Sequence, residues 1–487
     1  MLSRLHRATQ RSQWTLVIAL GMGVFVGGFD QTFIVPVLSS VLRDFDVPLD
    51  DFGSASWTIN GYLLGYVAAL PLMGRVADVH GYGRVFVAAL VLYMAASVAV
   101  ALSPNLQFMA VARAATAVGG GALVPVALGV AAQSLGESQR PLGLSAISIA
   151  DDGSSLLGPL WGTAVGVWLG WRGLFWLNVV LGLPVLVAVL LLARRMPAHP
   201  GGKVDWKGGL LLTSSLAALT FALADVAARP RPLEQTLGLY FLSAVLLVAF
   251  IRAERGTGQP LVELGMFRDR RVFAGFLVFL LEGGGLICAL VNIPLMAEVL
   301  WDKSGAGPGL VLMRMVLFMI VGGVLGGLLV RPLGPRITAT TGLLLSALGL
   351  LGMALWVEAP GDGVVWATLA VAGLGFTLSD APVYLVVADA TDSARRVSAM
   401  ALLQVAQTLG MMIGLALLAS QGLGRFDQRA ADLFAADPAG LDPADVRDLI
   451  HQTLDETFIA AAVAVAIAAA VAAVLLPRHA TSKAGPS

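Results

Sequence analysis

The chain has 487 residues, of which 57% are hydrophobic and only 13% are Asp, Glu, Lys or Arg, roughly half the charged fraction of a soluble domain. A water-soluble fold of this length could not bury that much apolar surface, and the mean hydropathy of +0.83 agrees. The 31 basic and 31 acidic residues balance, so no net positive charge attracts nucleic acid. The composition predicts an integral membrane protein.

The sequence lacks the motifs of common metal, redox and nucleotide sites. Its single cysteine, Cys288, lies in an apolar segment, where we expect it to pack against its neighbours. No HExxH or CxxC motif occurs, and no lysine lies in a glycine-rich loop of the kind that holds the phosphates of ATP. We therefore expect no enzyme, no metal ion and no cofactor.

Apolar segments long enough to cross a bilayer recur along the whole chain. A helix needs about 20 apolar residues to span about 30 Å of hydrocarbon, and these Leu-, Val-, Ala- and Gly-rich segments predict helices rather than barrel strands. In chain order, the fourteen predicted spans are residues 14–36, 53–75, 85–103, 107–130, 143–168, 172–194, 207–227, 235–252, 271–299, 308–330, 337–357, 363–387, 397–420 and 456–476.

The distribution of Lys and Arg predicts the orientation. These residues are concentrated on alternate connections, including both chain ends, and cytoplasmic connections are the ones that carry such an excess. We expect both termini in the cytoplasm of a multi-pass protein of the cell (inner) membrane. The longest outer connection, 421–455, contains an Asp442-Pro443 helix start followed by a polar stretch, which indicates a surface helix; its alternative role is a lid or a docking site.

Two connections share a glycine spacing. GRVADVHGYGR, residues 74–84, has Gly74 and Gly81 seven residues apart, with Asp78 and Arg84 beside them. GLLVRPLG, residues 327–334, repeats the seven-residue spacing in the second half of the chain. Asp78 could cap a helix or pair with Arg84. The repeat is typical of a transporter built from two homologous six-helix halves.

At this point the chain resembles the major facilitator superfamily, specifically its fourteen-span drug:proton antiporter branch. The residue 74–84 loop is similar to the inner-loop signature of the superfamily, and Arg113 lies at the position of the fourth-span arginine. Gly158, Pro159 and Gly162 are similar to the antiporter motif of the fifth span. The remaining similar stretches are FDQTFIVP at 29–36, WRGLFWLNV at 171–179, VDWKGG at 204–209 and PLVELGMF at 260–267.

The resemblance implies an all-α membrane protein with two six-helix bundles and two inserted helices. Residues 1–194 would form the first bundle, 195–269 the inserted helices with their linkers, and 270–487 the second bundle. It implies a proton-coupled efflux transporter for lipophilic or cationic compounds that works by alternating access. Its partners would be the lipid bilayer, a small lipophilic substrate and protons, with the proton gradient as the energy source.

Two alternatives to multidrug efflux remain open. The acid in the fifth span and the RFDQR sequence at 425–429 resemble a mycobacterial lipid exporter that works with an envelope lipoprotein. The chain would then export lipids to the cell envelope. From a different class, the chain could be a membrane sensor or structural protein that does not transport.

Charged residues inside the predicted spans are the main site candidates, because a charge in the hydrocarbon costs several kcal/mol. Acids outnumber bases there, so some carboxyls must be protonated or face water, which suits proton transfer. We expect proton coupling at Asp30, Asp152 and Asp151, with Arg113 as a counter-ion; the alternative for Asp30 is a helix-to-helix bond with Arg113. The remaining interior charges are Glu282, Asp380 and Arg314.

These three residues are predicted to read substrate charge, or alternatively to pair with one another. Further cavity-lining candidates are Trp57, Asn60, Tyr62, Gln404 and Gln407, whose aromatic and amide groups would suit a loose apolar site. Gly74, Asp78, Gly81 and Arg84 are candidates for conformational change. Gly158, Pro159 and Gly162 share that role or provide close helix packing.

Overall fold

A computed structural model describes residues 2–46, 62, 65–66, 69–70, 72–192, 196, 203–228, 232–256, 264–302, 307–356, 361–392, 395–418 and 443–478. Within these ranges the secondary structure is helical and contains no β-strand. The helices are α1 (Leu2–Thr32), α2 (Ile34–Asp44), α3 (72–80), α4 (Tyr82–Ala101), α5 (Leu106–Ser134), α6 (Arg140–Leu192), α7 (Trp206–Ala228), α8 (Leu233–Gly256), α9 (Arg270–Val299), α10 (Gly307–Leu333), α11 (Pro335–Met353), α12 (Asp362–Leu378), α13 (Asp380–Ala390), α14 (Arg396–Leu417) and α15 (Pro443–Leu475).

Twelve helical segments of the described residues are long and apolar enough to cross a membrane. The prediction of a helical membrane protein is therefore confirmed. Two of the fourteen predicted spans are not among the twelve: 53–75 lies largely outside the described residues, and 143–168 forms the acid-bearing first part of α6. The twelve are compatible with fourteen spans, and the higher count remains a prediction.

Helix α6 is two helices joined at a glycine. Its 53 residues are interrupted at Gly170, where φ is 65° and ψ is 173°, a backbone conformation that side chains other than glycine rarely adopt. The predicted border between the spans 143–168 and 172–194 lies at this point. The break lets the chain turn back without a long connection.

Prolines interrupt two other spans. Pro36 has no N–H to donate to the carbonyl of Thr32, and the helix breaks between them at Phe33, where α1 gives way to α2. Pro382 stands in the same relation to Leu378, and α12 gives way to α13 at Ser379. Irregular backbone at membrane depth is typical of protein-lined sites rather than lipid-facing surfaces.

The helices pack mainly within two groups, α1–α6 and α9–α15, which we term the first half and the second half. α1 packs on α6 and α4 on α5, whereas α9 packs on α14 and α15. The halves meet where α10 lies against α6 and α14 lies against α5. The borders given above for the two bundles and the inserted helices remain a prediction.

The inserted helices α7 and α8 form a hairpin beside the halves. The hydroxyl of Ser215 donates to the carbonyl of Ser243 at 2.8 Å, and the hydroxyl of Ser243 donates back to the carbonyl of Ser215 at 2.9 Å. Such hydrogen bonds join helices well in lipid, because hydrocarbon offers the hydroxyls no other partner. α8 turns most of its apolar side chains outward.

Candidate transport site between the two halves

Asp30 and Arg113 form a fully buried ion pair within the first half. Arg113 Nη1 donates to Asp30 Oδ1 at 2.5 Å and to the Asp30 backbone carbonyl at 3.1 Å. Both side chains are 0% exposed. The guanidinium also lies 4.6 Å above the centre of the Tyr62 ring, where the ring's electron-rich face attracts a cation. α1 and α5 are therefore joined at this depth, as the alternative prediction for Asp30 proposed.

A second group of acids spans the seam between the halves. Asp151 and Asp152 lie on α6 of the first half, while Glu282 and Asp380 lie on α9 and α13 of the second. Gln404 Nε2 on α14 donates to Asp151 Oδ2 at 3.2 Å, across the seam. Asp380 lies close enough to Asp152 and Glu282 for the three carboxyls to interact electrostatically. We call these four carboxyl groups the seam cluster.

Close helix contacts bring the seam cluster together. A Cβ atom on Gly28 would collide with Ser154 and approach the carbonyl of Asp151, so α1 supports α6 at this turn. A Cβ atom on Gly283 would collide with the carbonyl of Gln407, which lets α9 approach α14 beside Glu282. The hydroxyl of Ser379, at the break between α12 and α13, donates to Glu282 Oε1 at 2.6 Å.

The seam cluster has no cation of its own among the described residues. Neither Arg nor Lys of the described ranges forms an ion pair with any of its four carboxyls. Like charges this close in a low-dielectric interior cannot all be ionised. A group of carboxyls in such surroundings is suited to binding a proton.

Arg314 does not join the cluster, and the alternative pairing of Arg314 with Glu282 and Asp380 is wrong. Its Nη1 bonds Asp362 Oδ1 at 2.7 Å, and its guanidinium lies 4.8 Å above the ring of Trp366. The reason is topological: α10 and α12 both begin on one side of the bundle, so Arg314 near the start of α10 meets the first turn of α12. Its partner is 74% exposed, where a charge keeps its hydration.

The residue 74–84 loop ties the halves together at the end predicted to be cytoplasmic. Asp78 Oδ2 accepts hydrogen bonds from Ser398 N at 3.1 Å and Ser398 Oγ at 2.6 Å, so it caps the start of α14. Burial raises the pKa of Asp78 to about 6, although the bonds from Ser398 act to lower it. Gly81 turns the chain with φ at 93°, and Arg84 is exposed rather than paired with Asp78.

Further contacts close the same end. Arg140 Nη1 bonds Asp389 Oδ1 at 2.8 Å, which links α6 of the first half to α13 of the second. A Cβ atom on Gly74 would lie 2.8 Å from the Cβ of Ala401, and one on Gly327 would lie 2.6 Å from Ser145 Oγ. Gly74 and Gly327 are the first glycines of the two repeated loops, so both loops permit close approach of the halves.

The remaining predicted site residues do not share one location. Trp57 and Asn60 lie outside the described residues. Gln407 is buried on α14 and turns its carbonyl to α9. Gly158 and Gly162 are buried in helical α6, which runs without a break through Pro159. The predicted helix start at Pro443 is confirmed, and the helix that begins there continues through the predicted last span.

Sequence reasoning missed Ser379 and Ser398, which hold two of the acids. Each serine lies next to a helix start in an otherwise apolar region, which is the only signal that could have identified them. It also assigned different roles to neighbouring acids: proton coupling to Asp152, and recognition of the substrate's charge to Glu282 and Asp380. Since all three lie in one cluster, that division of roles has no geometric basis.

This geometry agrees with the comparison of the chain with known families. The family model of the Major Facilitator Superfamily matches residues 20–421. The chain belongs to this superfamily. It is a multi-span membrane transporter, as the resemblance implied.

Two relatives of this chain are named for different kinds of cargo. A triacylglyceride transporter of Mycolicibacterium hassiacum is 31% identical over 458 residues, covering 91% of this chain and 85% of that protein. Multidrug resistance protein 3 of Bacillus subtilis is 25% identical, covering 77% of this chain and 73% of its own. A solved structure of a double-tryptophan XylE variant has a TM-score of 0.65 at 16% identity, covers 96% of this chain and 97% of its own, and shares the fold.

Proposed function

We propose that this chain is a proton-coupled exporter of a neutral, acyl-chain-rich lipid of the triacylglyceride class. The observation that carries the proposal is the seam cluster, in which carboxyls of both halves meet without a cation from the described residues. A titratable group in the seam gains or loses a proton most readily where the halves separate. The relatives named as triacylglyceride transporters support the choice of cargo.

Proton loading suits a neutral cargo. Four carboxylates in the seam would hold water and repel hydrocarbon, whereas protonated carboxyls that bond one another present a much less polar surface. Protonation would thus favour the state that admits or passes acyl chains. Deprotonation would favour hydration and separation of the halves. Proton movement is then linked to lipid movement through the equilibrium between states, as coupling requires.

The inserted hairpin supports lateral control of the cargo's route. Leu216 of α7 belongs to one buried apolar cluster with Tyr66 of the first half and Met412 of the second, and α7 packs on α14. α7 therefore lies beside one seam between the halves. The hydroxyl of Thr220 also contacts Met412 Sδ at 3.8 Å. A lipid that entered from the bilayer would have to use the opposite seam, where α6 meets α10 beside Gly323 and Ile149.

Reconstitution into proteoliposomes tests the proposal. A fluorescent triacylglycerol should move to acceptor vesicles when a pH gradient is imposed, and the movement should stop when a protonophore dissipates the gradient. Asp152→Asn removes one titratable group of nearly the same shape and should abolish gradient-driven movement. Asp362→Asn also removes an acid but lies at the surface beside Arg314, where an ion pair contributes little, so it should transport normally.

Two results would contradict this function. If triacylglycerol moved equally with and without the gradient, proton coupling would be wrong. If Asp152→Asn transported as well as Asp362→Asn, the seam cluster would be structural and the coupling groups would lie elsewhere.

Multidrug efflux is the second candidate, and the relative from Bacillus subtilis together with the seam cluster favours it. An ionised Glu282 could bind a lipophilic cation, and in a low dielectric such a contact contributes about 1–3 kcal/mol, or roughly 10- to 100-fold. Glu282→Gln should then weaken export of a cationic dye and spare a neutral lipid. Loss of both cargoes together would instead assign Glu282 to coupling.

A further inference from the structure

Two serines of α6 have buried hydroxyls that form no hydrogen bond. Ser145 is 2% exposed and Ser148 is 4% exposed, and neither Oγ has a hydrogen-bond partner among the described residues. Ser154 of the same helix, by contrast, donates to the carbonyl of Asp151 at 2.8 Å, a common bond for a serine inside a helix. A buried hydroxyl without a partner loses its hydration and gains nothing in return. Packing alone therefore does not account for the two hydroxyls.

Both hydroxyls lie at the seam between the halves. Ser145 is the sixth residue of α6, near the end predicted to be cytoplasmic, and about 9 Å of helix separate it from Asp151. A Cβ atom on Gly327 of α10 would lie 2.6 Å from Ser145 Oγ, so α10 covers this hydroxyl. Ser148 is turned about 60° from Ser145, toward the side on which Asp151 meets Gln404 of α14. The second half therefore covers both serines of the first.

Separation of the halves at this end would uncover both hydroxyls. The contacts that close the end include those of Asp78 with Ser398 and of Arg140 with Asp389. In alternating access these contacts break, and the hydroxyls then face the space between the halves. The seam of α6 with α10 is also the route open to a lipid from the bilayer, because α7 lies beside the other seam. The two hydroxyls are thus positioned to meet a lipid that enters there.

A glyceride ester offers the complementary groups. Each unpaired hydroxyl has a proton to donate, whereas an ester carbonyl accepts hydrogen bonds and donates none. Side chains at i and i+3 of a helix lie about 5–6 Å apart, a spacing that two esters on neighbouring glycerol carbons can match. The side chains beside the serines that face α10 are the apolar Leu142 and Ile149. A pair of donors among apolar groups suits a lipid whose few polar atoms are all acceptors.

We propose that Ser145 and Ser148 bind two ester carbonyls of a neutral glyceride when the halves are separated at the end predicted to be cytoplasmic. The inference rests on the proposed function and adds to it the polar contacts by which the chain selects an ester lipid. Closure of this end brings α10 back over the hydroxyls and displaces the esters. The lipid is then released from this site as the seam closes.

Competition between an ester lipid and an ether lipid tests the proposal. The full chain in lipid nanodiscs, without a pH gradient, is labelled with a triacylglycerol that carries a diazirine in one acyl chain. The unlabelled competitors are a triacylglycerol and a trialkylglycerol of equal chain length, whose ether oxygens replace the esters so that no carbonyl remains. We expect crosslinks on peptides of α6 and α10, displaced by the ester at about tenfold lower concentration, since it gains two neutral hydrogen bonds. This ratio does not depend on how often the site is uncovered.

Removal of the two hydroxyls should abolish the preference. In the double variant Ser145→Ala/Ser148→Ala, ester and ether should displace the probe at equal concentration. The matched control is Ser346→Ala, because Ser346 is also buried but its hydroxyl donates to the Gly342 carbonyl at 3.2 Å; the tenfold preference should remain there. The double variant loses no hydrogen bond, so its unfolding midpoint should equal or exceed that of the unaltered protein.

Three results would overturn the proposal. Equal displacement by ester and ether in the unaltered protein would show that the chain does not recognise the carbonyls. A preference that persists in the double variant would place recognition elsewhere and leave the serines to bind water alone. An unfolding midpoint of the double variant clearly below that of the unaltered protein would show that the hydroxyls are already bonded.

The proposed function can fail separately from this site. If the double variant lost the ester preference as expected but triacylglycerol did not move under a pH gradient, the serine site would stand and proton-coupled export would be wrong. Crosslinks that neither competitor displaces would reject both the site and the choice of cargo.

Discussion

The ion pair between Asp30 and Arg113 can be separated into its structural and coupling contributions by neutralising its members singly and together. In Asp30→Asn the guanidinium of Arg113 keeps its contact with the face of the Tyr62 ring but loses its anion. Both side chains are 0% exposed and 2.5 Å apart, so water does not compensate. Breaking a buried pair from one side costs about 3–5 kcal/mol. The contact with the Tyr62 ring is present before and after the substitution, so it does not change this difference.

We therefore expect Asp30→Asn to destabilise the protein by about 3–5 kcal/mol. Arg113→Met should cost a similar amount because it leaves the carboxylate of Asp30 buried alone. The double variant contains no buried charge at this point, and replacing both members of a buried pair is often nearly neutral. It should recover most of the loss. Thermal unfolding in detergent, followed for the three variants and the unaltered protein, measures this cycle.

Transport by the double variant then decides the role of Asp30. If Asp30 carries a coupling proton, the double variant should be stable and still fail to move cargo when a pH gradient is imposed. A double variant that is stable and transports normally would refute the assignment of coupling to Asp30, and the pair would then serve only to hold α1 against α5. A double variant as unstable as Asp30→Asn would refute the energetic argument.

Three further predictions concern the backbone, the inner loop and the topology. Gly170→Ala should destabilise the protein by about 1–3 kcal/mol because Gly170 has a positive φ. Gly153→Ala is the control: Gly153 lies in a helix with no atom near its added Cβ, so the substitution should be neutral or stabilising. The unfolding midpoints of the two variants are compared. Asp78 is buried and its pKa is raised to about 6, so its protonated form favours the folded state, and the free energy of unfolding should fall as pH rises from about 4 to about 6 and then level off. The unfolding midpoints of the unaltered protein and of Asp78→Asn, compared at pH 4.5 and at pH 7, isolate this contribution. A difference between the two proteins that does not change with pH would contradict it. A single cysteine at Thr257, in a chain with Cys288 replaced, should react only from the cytoplasm; reaction from outside would rule out the fourteen-span topology.

The sequence by itself determines much of the secondary structure of this protein, because the effects involved are local. The apolar runs require helices, because a backbone in lipid must bond to itself. Gly170 permits the turn inside α6, and Pro36 and Pro382 interrupt spans by removing single hydrogen bonds. These effects act over a few residues, but the residues alone do not predict every break, because α6 runs through Pro159 without one.

The pairing of the charges was decided only by the tertiary structure. Gln404 and Asp151 are 253 residues apart, and Arg314 pairs with Asp362 at the start of α12 rather than with Glu282 or Asp380. Which groups meet depends on the depth and rotation of each helix against its neighbours, set by the packing of small residues such as Gly28 and Gly283. The sequence of one helix does not encode that geometry. The sequence therefore showed which acids lie in the membrane, but only the tertiary structure showed that four of them form one cluster.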